Sequence, residues 1–152
     1  TTLAAKELID NGDILIIANS DQIVEWDPRA FVGFFGLGFI DGATATFQAR
    51  DPKWSYVKTD WANVTEVAEK NPISNRANVG IYGWAKGSDY VKYAEQMIEK
   101  NIRTNNEFYI APVFNEAIAD GKAITFYDIA AMHGVGTPED LEAYLEKNST
   151  QG

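Results

Sequence analysis

The sequence predicts an α/β domain of three layers, with helices on both faces of a mixed, mainly parallel sheet. Short apolar runs of strand length alternate along the chain with longer segments of helical period, which is typical of this class. The run from Ile14 to Ala18 is apolar throughout, as in a parallel strand that helices cover on both faces. The 152 residues, 45% of them hydrophobic, suffice for one domain with a substantial core.

The strand at 14–18 lies between two predicted helices. Residues 1–9 have helical composition, and Asn11-Gly12 is a typical helix stop. After the strand, Asp27-Pro28 combines an N-cap residue with a first-turn proline, and it predicts a helix that ends at Gly36 to Gly38. We therefore expect the chain to begin in a helix with no strand before it.

The rest of the chain alternates strands and helices without a repeat or a linker. Strands are predicted at 43–49, 55–59, 64–67, 78–85 and 123–127, and helices at 88–100, 113–119 and 137–147. The second and third of these strands form a hairpin around a turn at 60–63. We expect a single domain that covers residues 1–152.

Composition excludes several classes of function. The net charge of −9 repels phosphodiester backbones and argues against nucleic acid as a partner. The chain has no cysteine, which excludes disulfides, a thiolate nucleophile and a sulfur-ligated metal. No apolar run reaches membrane-spanning length, and no signal peptide precedes Thr1. We expect a cytoplasmic protein with no membrane partner.

The first candidate functional residue is Asp21, which follows the strand at 14–18. In open α/β sheets, ligands bind beyond the carboxyl ends of the strands. A carboxylate at that edge can hold a divalent cation that bridges nucleotide phosphates. Alternatively, Asp21 caps a turn, which is a common role for aspartate.

Two further stretches carry polar residues at the ends of predicted elements. Lys70 can neutralise a sugar phosphate while Glu69 accepts hydrogen bonds from hydroxyls, although such a pair also occurs as a solvated surface pair. Glu107, Tyr109 and Asn115 lie among apolar residues of the core, where a buried carboxylate needs a partner such as a bound hydroxyl.

The stretch AMHGVGTPEDLEAYL adds a loop and a helix start. Gly134 and Gly136 allow a tight backbone before Thr137, whose helix N-terminus can face an anion or simply be capped. His133 is the single histidine and has no evident acid partner, so we expect a structural role for it. No G-x-S-x-G motif occurs, which argues against an acyl-transfer hydrolase.

Five stretches together resemble the later part of a sugar nucleotidyltransferase (nucleoside-diphosphate-sugar pyrophosphorylase). In chain order they are LIIANSDQ, VAEKNP, NVGIYGW, NEFYIAPVFNEAI and MHGVGTPEDL. The resemblance implies a nucleotide-diphospho-sugar transferase-like fold. It also implies transfer of a nucleotidyl group from a nucleoside triphosphate to a sugar 1-phosphate or similar acceptor, with release of pyrophosphate. Such products supply polysaccharide synthesis.

The same resemblance assigns roles to individual residues. Asp21 would be a Mg²⁺ ligand and Lys70 would contact the sugar phosphate, so both would be catalytic. Glu69 and Glu107 would bind sugar hydroxyls, and Gly80 would leave room for the sugar ring. The neighbours of Glu107 that complete the predicted substrate site are Tyr109 and Asn115.

Two departures from the family pattern change what we expect. Family members often carry W-x-D-x-G-T-P, whose aspartate is a second metal ligand, and Gly134 stands at that position here. Members also begin with a strand and a glycine-rich basic loop that holds the triphosphate, and nothing similar precedes Thr1. We therefore expect an N-terminally truncated domain that is inactive alone and that buries its exposed sheet edge by forming a homo-oligomer.

Two other functions remain open. A GT-A-type glycosyltransferase fragment would hold a finished nucleotide-sugar, usually with a D-x-D pair, whereas this chain has Asn19-Ser20-Asp21. A non-catalytic module that binds sugar phosphates or serves assembly would explain the missing triphosphate loop.

Overall fold

Eight strands and five α-helices form within residues 2–149, the part of the chain that the computed structural model describes. The strands are β1 (Leu15–Ala18), β2 (Gln22–Glu25), β3 (Gly42–Gln48), β4 (Ser55–Asp60), β5 (Asn63–Glu69), β6 (Arg76–Trp84), β7 (Ile124–Asp128) and β8 (Ala131–Gly134). The helices are α1 (Lys6–Ile9), α2 (Pro28–Gly33), α3 (Gly87–Glu99), α4 (Val113–Ala119) and α5 (Pro138–Ser149). Short 3-10 turns precede α1 at Thr2–Ala5 and follow α2 at Phe34–Leu37.

The main sheet is mixed, as predicted, but most of its pairs are antiparallel. Its strand order is β1-β6-β3-β7-β5-β4, and β4 also pairs with β6, so five strands close on one another. Among the described pairs, β3 with β7 is the parallel one. The prediction of a mainly parallel sheet was wrong because the β4–β5 hairpin and the long strand β6 each run against their neighbours. The closed arrangement also leaves a regular three-layer sandwich unconfirmed.

Strand β1 differs most from its prediction. It pairs antiparallel with β6, from Leu15 opposite Trp84 to Ala18 opposite Ile81. Leu15 and Ile17 pack against the core, whereas Ile16 is 39% exposed. Within residues 2–149, β6 is the one strand that pairs with β1, so β1 lies at the edge of the sheet. An all-apolar run did not distinguish a central parallel strand from an apolar edge strand, and the first was the wrong choice.

Strand β6 contains the main distortion of the sheet. Thr44 of β3 lies opposite Tyr82, but Thr46 lies opposite Asn78, so extra residues of β6 bulge outward between these two pairs. Gly80 stands inside this bulge with φ +88°, a left-handed conformation that favours glycine. The bulge places the side chains around Gly80 at the site described below.

Two hydrophobic cores lie on opposite faces of β3 and β6. On one face, α3 and α4 pack over the sheet, and Trp84 stacks on Phe114 with ring centroids 4.6 Å apart. On the other face, Phe31 and Phe35 from the α2 region cover β3 and β6. Phe31 is fully buried among aromatic neighbours. Helical segments therefore cover both faces of these two strands, which confirms the α/β class.

Two of the predicted helix starts are confirmed by side-chain caps. The Asp27 side chain accepts a hydrogen bond from the Arg29 backbone N–H at 2.9 Å, and the Thr137 hydroxyl accepts one from Asp140 at 3.1 Å. In the described part of the chain, no helix has both the length and the apolar character needed to cross a membrane.

The small sheet formed by β2 and β8 was not predicted from the sequence. These strands have four residues each and carry polar residues, so neither shows a clear strand pattern. Their pairing brings His133 to Glu25, with Nε2 and Oε1 3.0 Å apart. The histidine therefore has an acid partner that the sequence did not reveal, and its structural role fits this position outside the main cavity.

The first residue of α3 supplies a test of how the N-terminal helix docks. A Cβ on Gly87 would overlap the backbone carbonyl oxygen of Ile9, which cannot swing aside as a side chain can. We expect Gly87→Ala to lower the free energy of unfolding by about 2 kcal/mol or more, as measured by urea denaturation. Gly33→Ala is the matched control, since a Cβ there meets no atom within 4 Å and the gain in helix propensity is about 0.5–1 kcal/mol. Equal unfolding midpoints for the two variants would contradict the docking of α1 on α3.

Candidate functional site

A cavity of about 480 Å³ opens between strand β6, the β4–β5 hairpin and helix α3. One part of its wall is apolar and includes Met97, Ile98, Phe108 and Ile110. The other part is polar and includes Asn19, Ser55, Glu69, Lys70, Asn78 and Tyr109. A ligand in this cavity would meet a hydrophobic wall and a group of hydrogen-bonding side chains together.

Lys70 is held by two contacts at the end of β5. Its φ is +54°, and its backbone N–H donates to the Trp54 carbonyl at 3.0 Å. Its Nζ donates to the Tyr109 hydroxyl at 2.7 Å and lies 4.8 Å from the centroid of that ring. The Tyr109 hydroxyl in turn donates to Glu107 Oε2 at 2.6 Å. The structure thus joins three residues that the sequence analysis took from two separate stretches.

The charges in this group support one another. The hydrogen bond to Tyr109 raises the pKa of Lys70, and the nearby Glu107 and Glu69 carboxylates add to that rise. Glu107 is exposed and accepts a hydrogen bond from Tyr109, so it is not a buried carboxylate that needs a bound hydroxyl as its partner. The predicted contact between Glu107 and a sugar hydroxyl remains a prediction.

Glu69 is the half-buried acid of the cavity. It lines the wall beside Lys70. Burial raises the pKa of its carboxyl, and the Lys70 charge partly opposes this rise. A carboxylate that is partly removed from water gains most from a ligand hydroxyl that donates to it.

Gly80 makes room for Asn19, which follows β1. A Cβ at position 80 would overlap the Asn19 amide nitrogen and would lie 2.7 Å from its Cγ. The Asn19 backbone N–H also donates to the Gly80 carbonyl at 2.9 Å. The glycine therefore lets the end of β1 reach the cavity wall, while its predicted role beside a sugar ring remains a prediction.

Asp21 is close to the cavity but is not among the described residues that line it. It lies two residues after Asn19, so their Cα atoms are at most about 7.6 Å apart. Its carbonyl accepts from the Val135 N–H at 2.9 Å, and a Cβ on Gly136 would lie 2.9 Å from its Oδ2. The structure brings the loop of Asp21 to the cavity through Asn19 and packs Asp21 itself against the loop after β8.

The donor set around Asp21 is incomplete for a metal. Among the described residues, no group of three or more histidine, cysteine, aspartate or glutamate side chains could hold a metal ion. Gly134 supplies no ligand at the position where the family pattern has a second carboxylate. Mg²⁺ commonly keeps its waters and takes one or two carboxylates together with substrate phosphates. The predicted role of Asp21 as a Mg²⁺ ligand therefore remains a prediction.

Both polar atoms of the Asn115 side chain form hydrogen bonds with the protein backbone. Its Oδ1 accepts from the Val67 N–H at 2.8 Å, and its Nδ2 donates to the Val67 carbonyl at 2.7 Å. These two bonds fasten α4 to β5, and among the described residues Asn115 is not one that lines the cavity. Its predicted role in substrate binding has no contact to support it and remains a prediction.

Several residues of the polar wall were not predicted from the sequence. Ser55 and Asn78 are 6% and 2% exposed, and Lys53 and Trp54 lie at the same wall. Ser55 stands directly across the hairpin from Glu69. The predicted hairpin could have indicated that Ser55 lies near Glu69. However, a register shift between Lys58 and Thr59 moves the pairing of β4 with β5 by one residue. Counting outward from the turn therefore pairs Ser55 with the wrong residue.

The raised pKa of Glu69 leads to a testable dependence of stability on pH. Because the folded pKa lies above the unfolded one, the folded state binds more protons between these two values, and stability falls as pH rises through that interval. We expect Glu69→Gln to remove this loss, so that the variant gains stability relative to the natural protein in the pH range that begins at the ordinary glutamate pKa of 4.5. Urea denaturation across that range measures the difference. If the free energies of unfolding of the two proteins differ by the same amount across this pH range, the burial of this carboxyl is contradicted.

Comparisons with solved structures show what the fold is similar to. A nucleoside-diphosphate-sugar pyrophosphorylase from Vibrio cholerae matches with a TM-score of 0.77 and 26% identity, over 95% of this chain and 60% of that chain. A UDP-glucose pyrophosphorylase complexed with UDP-glucose matches at 0.75 and 18% identity, over 96% and 61%. A UTP-bound UDP-glucose pyrophosphorylase from Acinetobacter baumannii matches at 0.72 and 14% identity, over 96% and 54%.

The likeness to these pyrophosphorylases is found by comparing structures. The sequence matches no protein-family model, and the comparison with curated proteins finds no match. The chain spans 54 to 61% of the length of the three solved structures described above. Their shared fold nevertheless agrees with the five motifs found in the sequence, and the resemblance of this chain to the nucleoside-diphosphate-sugar pyrophosphorylases is confirmed.

Proposed function

We propose that this chain is part of a nucleotidyltransferase that transfers a nucleotidyl group from a nucleoside triphosphate to a sugar 1-phosphate or similar phosphorylated acceptor. The observation that carries the proposal is the group formed by Lys70, Tyr109 and Glu69 at the wall of the cavity. It combines a cation for a phosphate with a carboxylate and a phenol for hydroxyls. The likeness in fold to pyrophosphorylases supports the same reaction.

Lys70 is suited to hold the phosphate of the acceptor. An ammonium has three N–H donors, and Tyr109 takes one of them, so two remain for phosphate oxygens. The chain has a net charge of −9, and a phosphate therefore needs a local cation to enter the cavity. Tyr109 fixes the direction of the long lysine side chain and lowers the entropy lost when the ligand binds.

The reaction requires that the two substrates are positioned and that the charge on their phosphates is neutralised. An oxygen of the acceptor phosphate attacks the α-phosphorus of the triphosphate in line, and pyrophosphate leaves. Lys70 orients the attacking phosphate, and Glu69 with Tyr109 would fix the sugar by its hydroxyls. A Mg²⁺ ion with Asp21 as ligand would neutralise charge on the phosphates. The chain spans only part of the length of the solved pyrophosphorylases, and we expect it alone to form no nucleotide-sugar.

The two other functions receive less support. A GT-A-type glycosyltransferase usually needs a D-x-D pair, whereas this chain has Asn19-Ser20-Asp21, and the Asn19 side chain lies against Gly80. A non-catalytic module that serves assembly does not require the arrangement of Lys70 and Tyr109 over a cavity, whereas a module that binds sugar phosphates would use the same arrangement. Self-association through the exposed edge of β1 remains part of the proposal, as does a role in polysaccharide precursor supply in the cytoplasm.

Calorimetry with glucose 1-phosphate tests the proposed phosphate contact. We expect Lys70→Met to weaken binding at least tenfold, because a charge-assisted hydrogen bond of about 1.5–3 kcal/mol is lost. Lys58→Met is the matched control, since Lys58 is exposed on β4 and lies outside the described lining of the cavity. Equal affinities of the two variants would refute the role of Lys70.

The same titrations separate the three functions. Binding of the sugar phosphate without a nucleoside triphosphate supports the nucleotidyltransferase. Preferred binding of a nucleotide-sugar would favour the glycosyltransferase, and no binding of either ligand would favour a module that serves assembly. Nucleotide-sugar formation by the purified chain would contradict its expected inactivity.

A further inference from the structure

The loop between α1 and β1 contains the one Asn-Gly pair of the sequence, at Asn11 and Gly12. Both residues are exposed. Within residues 2–149, the Gly12 N–H has no hydrogen-bond partner, and a Cβ at position 12 would meet no atom within 4 Å apart from its chain neighbours. The backbone nitrogen of Gly12 is therefore unhindered next to the Asn11 side chain.

Two hydrogen bonds hold the Asn11 side chain in this loop. Its Nδ2 donates to the Leu8 carbonyl at 2.9 Å, and its Oδ1 accepts from the Asp13 backbone N–H at 2.9 Å. The second bond polarises the side-chain carbonyl, and it would stabilise negative charge on Oδ1 if a nucleophile added to Cγ, as the donors of an oxyanion hole do. The loop thus combines a polarised side-chain amide with an unhindered backbone nitrogen.

The main chain of the same loop is bound to the start of α3. The Gly87 N–H donates to the Asp13 carbonyl at 2.9 Å, and the Ser88 N–H donates to the Asn11 carbonyl at 2.9 Å. The first N–H groups of a helix have no acceptor within the helix, so the loop satisfies two of them. It thereby joins α3 to the N-terminal segment, whose 3-10 turn contributes to the wall of the cavity.

We propose that Asn11 is a site of spontaneous deamidation, whose isoaspartate product loosens the contact of this loop with α3. The Gly12 nitrogen forms a bond to Asn11 Cγ, and water carries its proton to Nδ2. The bond between Cγ and Nδ2 then breaks, ammonia leaves, and a five-membered succinimide ring remains. A second water opens this ring at either of its two carbonyls, which yields aspartate or isoaspartate with no change in oxidation state.

The two products change the loop in different ways. An aspartate carboxylate cannot donate to the Leu8 carbonyl, but the path of the main chain is the same. In isoaspartate, the main chain runs through the former side chain and is longer by one methylene group. The former main-chain carbonyl of Asn11 becomes a free carboxylate. The loop can then no longer hold Gly87 and Ser88 in the observed geometry.

Incubation of the folded protein at mildly alkaline pH, followed by peptide mass spectrometry, tests the site itself. We expect Asn11 to lose its side-chain amide at least about tenfold faster than Asn19, which precedes a serine whose side chain hinders the attacking nitrogen. Gly12→Ala is the matched variant. Its Cβ has room and the φ of residue 12 lies outside the left-handed region, so we expect it to fold normally and to convert about tenfold more slowly.

The same incubation in urea sets the time that an unfolded Asn-Gly pair needs for conversion. If the Asn11 side chain of the folded protein is intact after that time, the proposal is overturned. Equal rates for Gly12→Ala and the natural protein would overturn it as well, since the attack by an unhindered Gly12 nitrogen would then not limit the reaction.

Hydrogen exchange measured by NMR tests the effect on α3. Ion-exchange chromatography isolates the converted protein, because it carries an additional negative charge. We expect the Gly87 and Ser88 N–H groups to exchange at least about tenfold faster in the isoaspartate form, with the exchange in β6 unchanged. Asn11→Asp is the control, since it reproduces the other product and keeps both main-chain acceptors. Equal exchange of Gly87 and Ser88 in the isoaspartate form and the natural protein would overturn the proposed loosening.

Discussion

The left-handed turn of β6 at Gly80 is the constraint on which the site depends. Because position 80 has no Cβ, Asn19 can lie over the strand and bring the end of β1 to the cavity. The same bulge sets the register that places Asn78 opposite Thr46 and within reach of Thr44 and Ser55. One backbone conformation thus determines both the access of the β1 loop and the buried polar wall.

In a strongly acidic protein, the cavity also depends on where the less numerous cationic side chains lie. The Lys70 side chain is held by a hydrogen bond to Tyr109 rather than by a direct ion pair with a carboxylate. Glu107 stabilises the lysine charge from beyond that tyrosine, so the ammonium keeps free donors on the cavity side. A direct Glu–Lys pair at the wall would use the same donors and would leave fewer for a phosphate.

The sequence predicted the element types well and the pairing directions poorly. Caps such as Asp27 and Thr137 act locally, and local signals located the helix starts. The direction of β1 depends on β6, which lies about 65 residues away, and no local pattern records that partner. The same holds for the site. Lys70 and Tyr109 belong to sequence motifs and were predicted. Ser55 was not predicted, because a register shift in the hairpin determines which residue it faces.

The parallel pair of β3 and β7 has a consequence for how the molecule forms. Thr46 and Asp128 are joined by a hydrogen bond although 82 residues separate them. The ring of strands can therefore close only after β7 has been synthesised. Long loops must be ordered before these distant contacts contribute, which slows folding in chains of high contact order. A ribosome-bound intermediate that still lacks β7 would expose the unpaired flank of β3, and chaperones would be its natural protectors during synthesis.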